Sequence, residues 1–200
     1  AINNLLNNTY QIFVSSTGGQ FFNMKDILTA QAKYMKYLPG MLSNTGSRIK
    51  TDFLSLFAER YEINQEYEKR IYDIKFRRKT WLGKLMSWSN LFFLSNMGDH
   101  FSNTIVALAM AHKYKLYYRE GGTIKSTNLL DALKIENIDS NDKSLGANLN
   151  LDKTKYYTDS ECKNHFSDND EITFSKKMHK VSNKLFGIYN KQDQTAFQRT

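Results

Sequence analysis

Hydrophobic residues recur at spacings of three and four along much of the chain, which is the pattern of helices that bury one face. The first such stripe predicts a helix of roughly Met24–Leu38. This helix is expected to stop near Pro39-Gly40, because the residue before a proline disfavours the α conformation. Residues 1–23 are rich in Asn, Ser and Gly, so we predict an irregular or extended N-terminal segment there.

The longest helical pattern runs from about Arg48 to Met86. Arg60, Asn64 and Arg78 fall within its apolar stripe, so the pattern predicts either a helix that bends midway or one that packs against a partly polar neighbour. One long helix or two nearly continuous helices would satisfy it. The apolar positions of the stripe are Phe53, Leu56, Phe57, Tyr67, Ile71, Ile74, Trp81, Leu82 and Leu85.

A further helix is predicted from Asp99 to about Tyr118, with Asp99 as its N-cap, because a carboxylate can accept the free N–H groups of a first turn. Gly121-Gly122 then separates two β-favouring runs and predicts a hairpin near residues 116–126. Asn128–Ile135 favours a short helix. The stripe of the preceding helix consists of Phe101, Ile105, Leu108, His112 and Leu116.

Residues 137–167 are dominated by Asn, Asp, Ser and Lys, and they predict a polar loop region with one candidate strand at Ala147–Leu151. Residues 168–200 predict a C-terminal helix, which Ser167 or Asp168 can cap, and a tail. We expect this helix to end near Asn190. Its narrow apolar seam is formed by Phe174, Met178, Val181, Leu185 and Ile188.

These elements predict a mainly α fold of long helices, extended or loosely bundled, with one small β-hairpin inside a helical region over residues 24–136. The single proline supports this class, because helix interiors exclude proline. No run of about eighteen apolar residues is present, so no integral membrane span is expected. The first residues lack a signal-peptide pattern, and the Ala start and polar end suggest a fragment of a larger protein.

Asp99-His100 together with His112 is the best pattern for chemistry, because a carboxylate and an imidazole can form a general base pair. Neighbouring residues of a helix point about 100° apart, so capping by Asp99 and packing by His112 explain the residues more simply. Cys162-Lys163-Asn164-His165 supplies at most half of a zinc site, and a surface loop is the simpler interpretation. We therefore expect no enzyme activity, no metal and no cofactor.

The net charge of +8 is unevenly distributed, with an acidic middle between basic arms. Its most concentrated part is a basic run with aromatic neighbours, which contains Arg77, Arg78, Lys79, Trp81 and Lys84. Such a run binds nucleic acid through phosphate neutralisation and base stacking, or an acidic protein surface, or stays solvated. A protein interface is the interpretation that we favour.

Several short sequence segments in the last part of the chain resemble segments of the large virion-associated proteins of crAss-like bacteriophages. They lie in FRRKTWLGKLMSWSNLFFLSNMGDH, in NLLDAL after the hairpin, and in DNDEITFSKKMHKVSNKLFGIYNKQDQTAFQR. The resemblance covers about 125 residues and is carried chiefly by Gly98-Asp99-His100, the word GIYNK at 187–191 and Gln198-Arg199.

The resemblance implies a cargo protein that is stored in the virion interior and ejected with the genome into the bacterial host cell. The implied partners are portal or tail proteins and copies of itself, with DNA as a further candidate. Some large proteins of such phages resemble RNA polymerases, whose centre needs a tight aspartate cluster, and no D-x-D-x-D occurs here. The alternative function is therefore a nucleic-acid-binding, non-catalytic part of a virion-associated RNA polymerase.

Overall fold

The structure is a computed structural model that describes residues 2–44, 49–63, 88–138 and 146–186. Side-chain surroundings are described for 6–41, 49–63, 100–138 and 146–186. The elements in chain order are α1 (Ile2–Thr17), α2 (Met24–Asn44), α3 (Phe53–Arg60), α4 (Trp88–Lys113), β1 (Lys115–Glu120), β2 (Thr123–Asn128), α5 (Leu129–Ala132), β3 (Lys134–Asn137), β4 (Ala147–Asn150) and α6 (Asp168–Phe186).

The core forms around α4, because every residue from 102 to 111 is buried. A helical segment without an exposed face must be enclosed by other elements, and here α1, α2, α5 and α6 pack around it. Ala107, Ala109 and Ala111 are small enough to let these neighbours approach closely. The sequence predicted that only one stripe of this helix is buried, whereas the segment 102–111 is buried on all sides.

The predicted irregular segment over residues 1–23 is wrong for most of its length, because α1 occupies Ile2–Thr17. The Asn-rich composition has poor helix propensity, but tertiary burial outweighs it: Ile12 and Ser16 lie one turn apart and are both buried. The helix ends before Gly19, which adopts φ +62°.

The expected stop at Pro39-Gly40 is also wrong, since α2 continues to Asn44. Pro39 lies at an exposed position, and the buried Met41 anchors the turn that follows it. A Cβ atom at Gly40 would lie 3.3 Å from the Cβ of Asp52, so glycine allows α2 to approach the start of α3.

The helix predicted from Arg48 to Met86 begins only at Phe53, where Asp52 accepts a 2.9 Å hydrogen bond from the N–H of Ser55. It ends at Arg60, and Glu62 then adopts φ +53°, which is incompatible with a continuing right-handed helix. The prediction of one uninterrupted helix over this range is therefore wrong. Residues 64–87 lie outside the described residues.

The predicted helix start at Asp99 is wrong as well, because α4 begins at Trp88 and Asp99 lies in its interior. The helix also ends earlier than predicted, at Lys113, because the chain then enters β1. Asp99 is consequently not an N-cap.

The predicted hairpin is confirmed: β1 pairs antiparallel with β2, from Lys115 opposite Asn128 to Glu120 opposite Thr123. Gly121 and Gly122 form its two-residue turn with φ +57° and +81°, values that glycine adopts without steric cost.

A second hairpin was not predicted, so the expectation of a single one is wrong. The predicted strand after Ala147 is present as β4, and it pairs with β3. This pairing ends the short helix at Ala132 rather than Ile135, and Asn128 is its N-cap, which accepts a hydrogen bond from the N–H of Asp131. Ala147 and Leu149 are buried while Asn148 and Asn150 are exposed, which is the period of two expected for a strand.

The polar region 137–167 is more ordered after β4 than its composition suggests. Tyr156 and Phe166 are buried, and Tyr157 forms β-bridges to Tyr117 and to His165. The division of the chain into the four predicted segments stays a prediction.

The C-terminal helix α6 carries the predicted seam, since Phe174, Met178 and Val181 are buried. Its cap is reciprocal: Ser167 Oγ accepts a hydrogen bond from the N–H of Asp170, and Asp170 Oδ2 accepts one from the N–H of Ser167. Ile188 and the predicted end near Asn190 lie outside the described residues.

The mainly helical class is thus confirmed, with two small hairpins. In the described part of the chain, no helix has the length and hydropathy needed to cross a membrane.

Candidate functional sites

The predicted contact residues Arg77, Arg78, Lys79, Trp81 and Lys84 all lie outside the described residues. Their role in binding a partner or nucleic acid stays a prediction.

The predicted His–carboxylate constellation is divided between two separate places. His100 is buried, and its Nδ1 lies 3.2 Å from the hydroxyl of Tyr34 on α2. Burial lowers the pKa of His100 to about 4, although the nearby charge of Asp52 opposes the shift, so the imidazole is neutral near pH 7. Burial likewise raises the pKa of Tyr34 to about 12.

His112 pairs instead with Asp26, a residue that the sequence did not single out. The Nδ1 atom of His112 and Oδ1 of Asp26 lie 2.6 Å apart, and the side chain of Asp26 is nearly enclosed. The other oxygen of Asp26 accepts a 2.9 Å hydrogen bond from the N–H of Asn23, whose own side chain caps the N–H of Asp26. This carboxylate therefore joins the start of α2 to the end of α4. His112 therefore makes a polar contact with a carboxylate, whereas the sequence predicted only a packing role for it.

A second charged cluster joins α3, β4 and α6. Arg60 donates to Glu171 across 2.6 Å and to the carbonyl of Leu149 across 2.5 Å, and Lys153 lies 2.7 Å from the other oxygen of Glu171. Burial alone would raise the pKa of Glu171, but the hydrogen bonds from Lys153 and Arg60 outweigh it and lower the pKa. This cluster explains why Arg60 interrupts the apolar stripe of its helix.

Cys162 lies in a loop, as predicted, but the thiol side chain is buried and the residue adopts φ +54°. Cys162 adopts this conformation in a tight turn, in which Asp159 accepts hydrogen bonds from the N–H groups of Glu161, Lys163 and Asn164. Among the described residues, no group of three or more His, Cys, Asp or Glu side chains could hold a metal ion.

A cleft of about 390 Å³ opens where the α1–α2 connection, the end of α4 and the first turns of α6 meet. Lys113, Lys115 and Lys177 line it together with one carboxylate, that of Asp170. Lys177 is far from Lys113 and Lys115 in the sequence, so no local pattern could have indicated that it joins them. We call this site the lysine cleft; the remaining lining residues are Gln20, Phe21, Met110, Tyr114, Thr173 and Phe174.

One face of α1 exposes large apolar side chains to solvent, with exposed fractions of 62% for Leu6, 63% for Tyr10 and 55% for Phe13. Their spacing of four and three places them on one side of the helix, next to the side that buries Ile12 and Ser16. Val14 extends the same surface, which we call the α1 apolar face. The spacing of these residues is a local signal in the sequence. The Asn-rich composition nevertheless favoured an irregular segment, so this face was not predicted.

No model of a protein family matches this chain. A search of curated proteins and a search of solved structures also find no match.

Proposed function

We propose that this chain is a non-enzymatic helical module of a bacteriophage virion protein, which is stored inside the particle and ejected with the genome into the host. It acts through contacts with other virion proteins, including copies of itself. The observation that carries the contact role is the α1 apolar face.

This face is large enough to contribute substantial binding free energy. Burying a leucine or phenylalanine side chain stabilises an association by about 1.5–3 kcal/mol, before the cost of ordering the partners. Leu6, Tyr10 and Phe13 are each more than half exposed, so each has most of its surface left to bury.

The occupant that this face fits best is a second copy of the chain. The chain has a net charge of +8, which opposes self-association, but the first charged residue is Lys25. All of α1 is therefore uncharged, and two copies can meet there without bringing like charges together. The cores of protein interfaces are similarly depleted in charged residues. The exposed apolar residues of α2, by contrast, include Leu28 and Met35, which lie between the exposed Lys25 and Lys36.

The virion setting rests on the resemblance of the GDH and GIYNK words and their neighbouring segments to crAss-like phage proteins. The alternative, a nucleic-acid-binding part of a virion RNA polymerase, rests on the basic run around Arg77 and Arg78. Mass spectrometry of intact source particles tests the setting. We expect peptides of this chain inside the particle and within a much longer polypeptide, and their absence from purified particles would contradict the proposal.

The contact role predicts that Phe13→Glu converts a self-associated chain to monomers, because a carboxylate buried in an apolar interface loses its hydration. Sedimentation velocity over a range of protein concentrations measures the change.

Ile172→Glu is the matched control, since Ile172 is an exposed apolar residue on another helix, with 49% of its surface accessible. It adds the same charge and should sediment like the unmodified chain. A wild-type chain that is monomeric throughout, or a Phe13→Glu variant that associates unchanged, would exclude a second copy as the occupant.

A further inference from the structure

The lysine cleft carries more positive charge than the structure uses internally. Three ammonium groups face the single carboxylate of Asp170, whose Oδ2 already accepts hydrogen bonds from the N–H and hydroxyl of Ser167. Lys113 donates to the carbonyl of Gly19 across 3.0 Å. Within the described residues, Lys115 and Lys177 have no acidic partner at ion-pair distance, so their charge is available to an anion.

Aromatic side chains lie between these lysines. Phe21 and Tyr114 are partly exposed in the cleft, and Phe174 forms its buried floor. The ammonium of Lys184 lies over the Phe21 ring, 5.1 Å from its centroid, so this cation occupies one face of the ring. Lys184 itself is exposed, and its flexible side chain can move aside for a flat ring and then approach the phosphate attached to it.

Positive charge next to accessible aromatic faces is the combination that binds single-stranded nucleic acid, in which phosphates meet lysines and bases stack on rings. The volume of about 390 Å³ falls in the range of pockets that hold small molecules, so a nucleotide unit fits in size. The hydroxyl of Thr173 and the amide of Gln20 add polar groups at the rim.

We propose that the lysine cleft binds a nucleotide unit of a single strand of nucleic acid, with its phosphates on Lys115 and Lys177 and a base against Phe21. None of the lining residues belongs to the α1 apolar face, and none is part of the basic run around Arg77, which lies outside the described residues.

Fluorescence anisotropy with a labelled oligothymidine of about ten nucleotides tests the proposal, using the full chain at about 50 and 200 mM salt. The double variant Lys115→Ala/Lys177→Ala should bind at least about tenfold more weakly at low salt, and the slope of its log affinity against log salt concentration should be shallower by about 1.4, or about 0.7 for each lost phosphate contact. The double variant Lys125→Ala/Lys134→Ala removes the same charge from β2 and β3 and should bind like the unmodified chain. An equal loss of affinity in both double variants, or no loss in the Lys115→Ala/Lys177→Ala variant, would overturn the cleft as the binding site.

The conservative variant Phe21→Leu separates base stacking from attraction to any polyanion. It should weaken binding of the oligonucleotide by about fivefold or more while leaving the binding of inorganic polyphosphate unchanged. Competition by free thymidine monophosphate distinguishes the two sources of a nucleotide. Displacement only at a large molar excess supports the strand, whereas displacement at concentrations equal to those of the oligonucleotide, or equal loss of both polymers in Phe21→Leu, would overturn the proposal.

Discussion

Replacing Leu108 by alanine should lower the free energy of unfolding by about 2–5 kcal/mol, which is a large part of the stability of a domain of this size. Leu108 is fully buried in α4, the helix that α1, α2, α5 and α6 surround. Truncation removes its apolar contacts and leaves a cavity that neighbours on several sides can close only in part. Chemical denaturation followed by circular dichroism measures the difference.

Leu28→Ala is the matched control, because the same side chain is removed from a position on α2 that is 58% exposed. Its effect should stay within about 0.5 kcal/mol, as for most surface substitutions. Similar losses in the two variants would show that α4 is not the enclosed centre of the fold.

Lowering the pH from 8 to 5 should destabilise the folded chain by about 2 kcal/mol through His100 alone. The pKa of this buried imidazole falls from its ordinary value of 6.5 to about 4 in the folded state. Between these two values the unfolded chain takes up a proton that the folded chain excludes, so stability is fully present above about pH 6.5 and is lost as the pH falls toward 4.

The measurement is the free energy of unfolding at several pH values above 5, where the carboxylate of Glu171, whose pKa is lowered, stays ionised in the folded state. His100→Gln keeps a polar side chain near the Tyr34 hydroxyl but removes the titrating group. This variant should lose about 2 kcal/mol less than the unmodified chain over the same pH range. Parallel pH profiles of the two proteins would contradict the burial of a neutral His100.

The candidate sites differ in how far the sequence could reveal them. The α1 apolar face follows from the spacing of Leu6, Tyr10 and Phe13, a local signal that an Asn-rich background obscured. The lysine cleft had no local signal, because Lys113 and Lys177 meet only after α4 and α6 have packed. The pairing of His112 with Asp26 similarly joins residues 86 positions apart.

The sequence by itself determined the features that depend on neighbouring residues. The Gly121-Gly122 turn requires positive φ angles that glycine adopts readily, and Ser167 with Asp170 forms a cap within one helical turn. The seam of Phe174, Met178 and Val181 follows from helical periodicity.

Only the tertiary structure decided where elements begin and end against their local preference. Packing around α4 stabilises α1, whose sequence has weak helix propensity. Helix α2 continues past Pro39 because Met41 is buried beyond it. The pairing of β3 with β4 ends α5 earlier than its sequence suggests. Local preferences amount to a few tenths of a kcal/mol up to about 3 kcal/mol per residue, and burial of several apolar side chains exceeds them. That burial depends on residues far apart in the chain, which periodicity cannot identify.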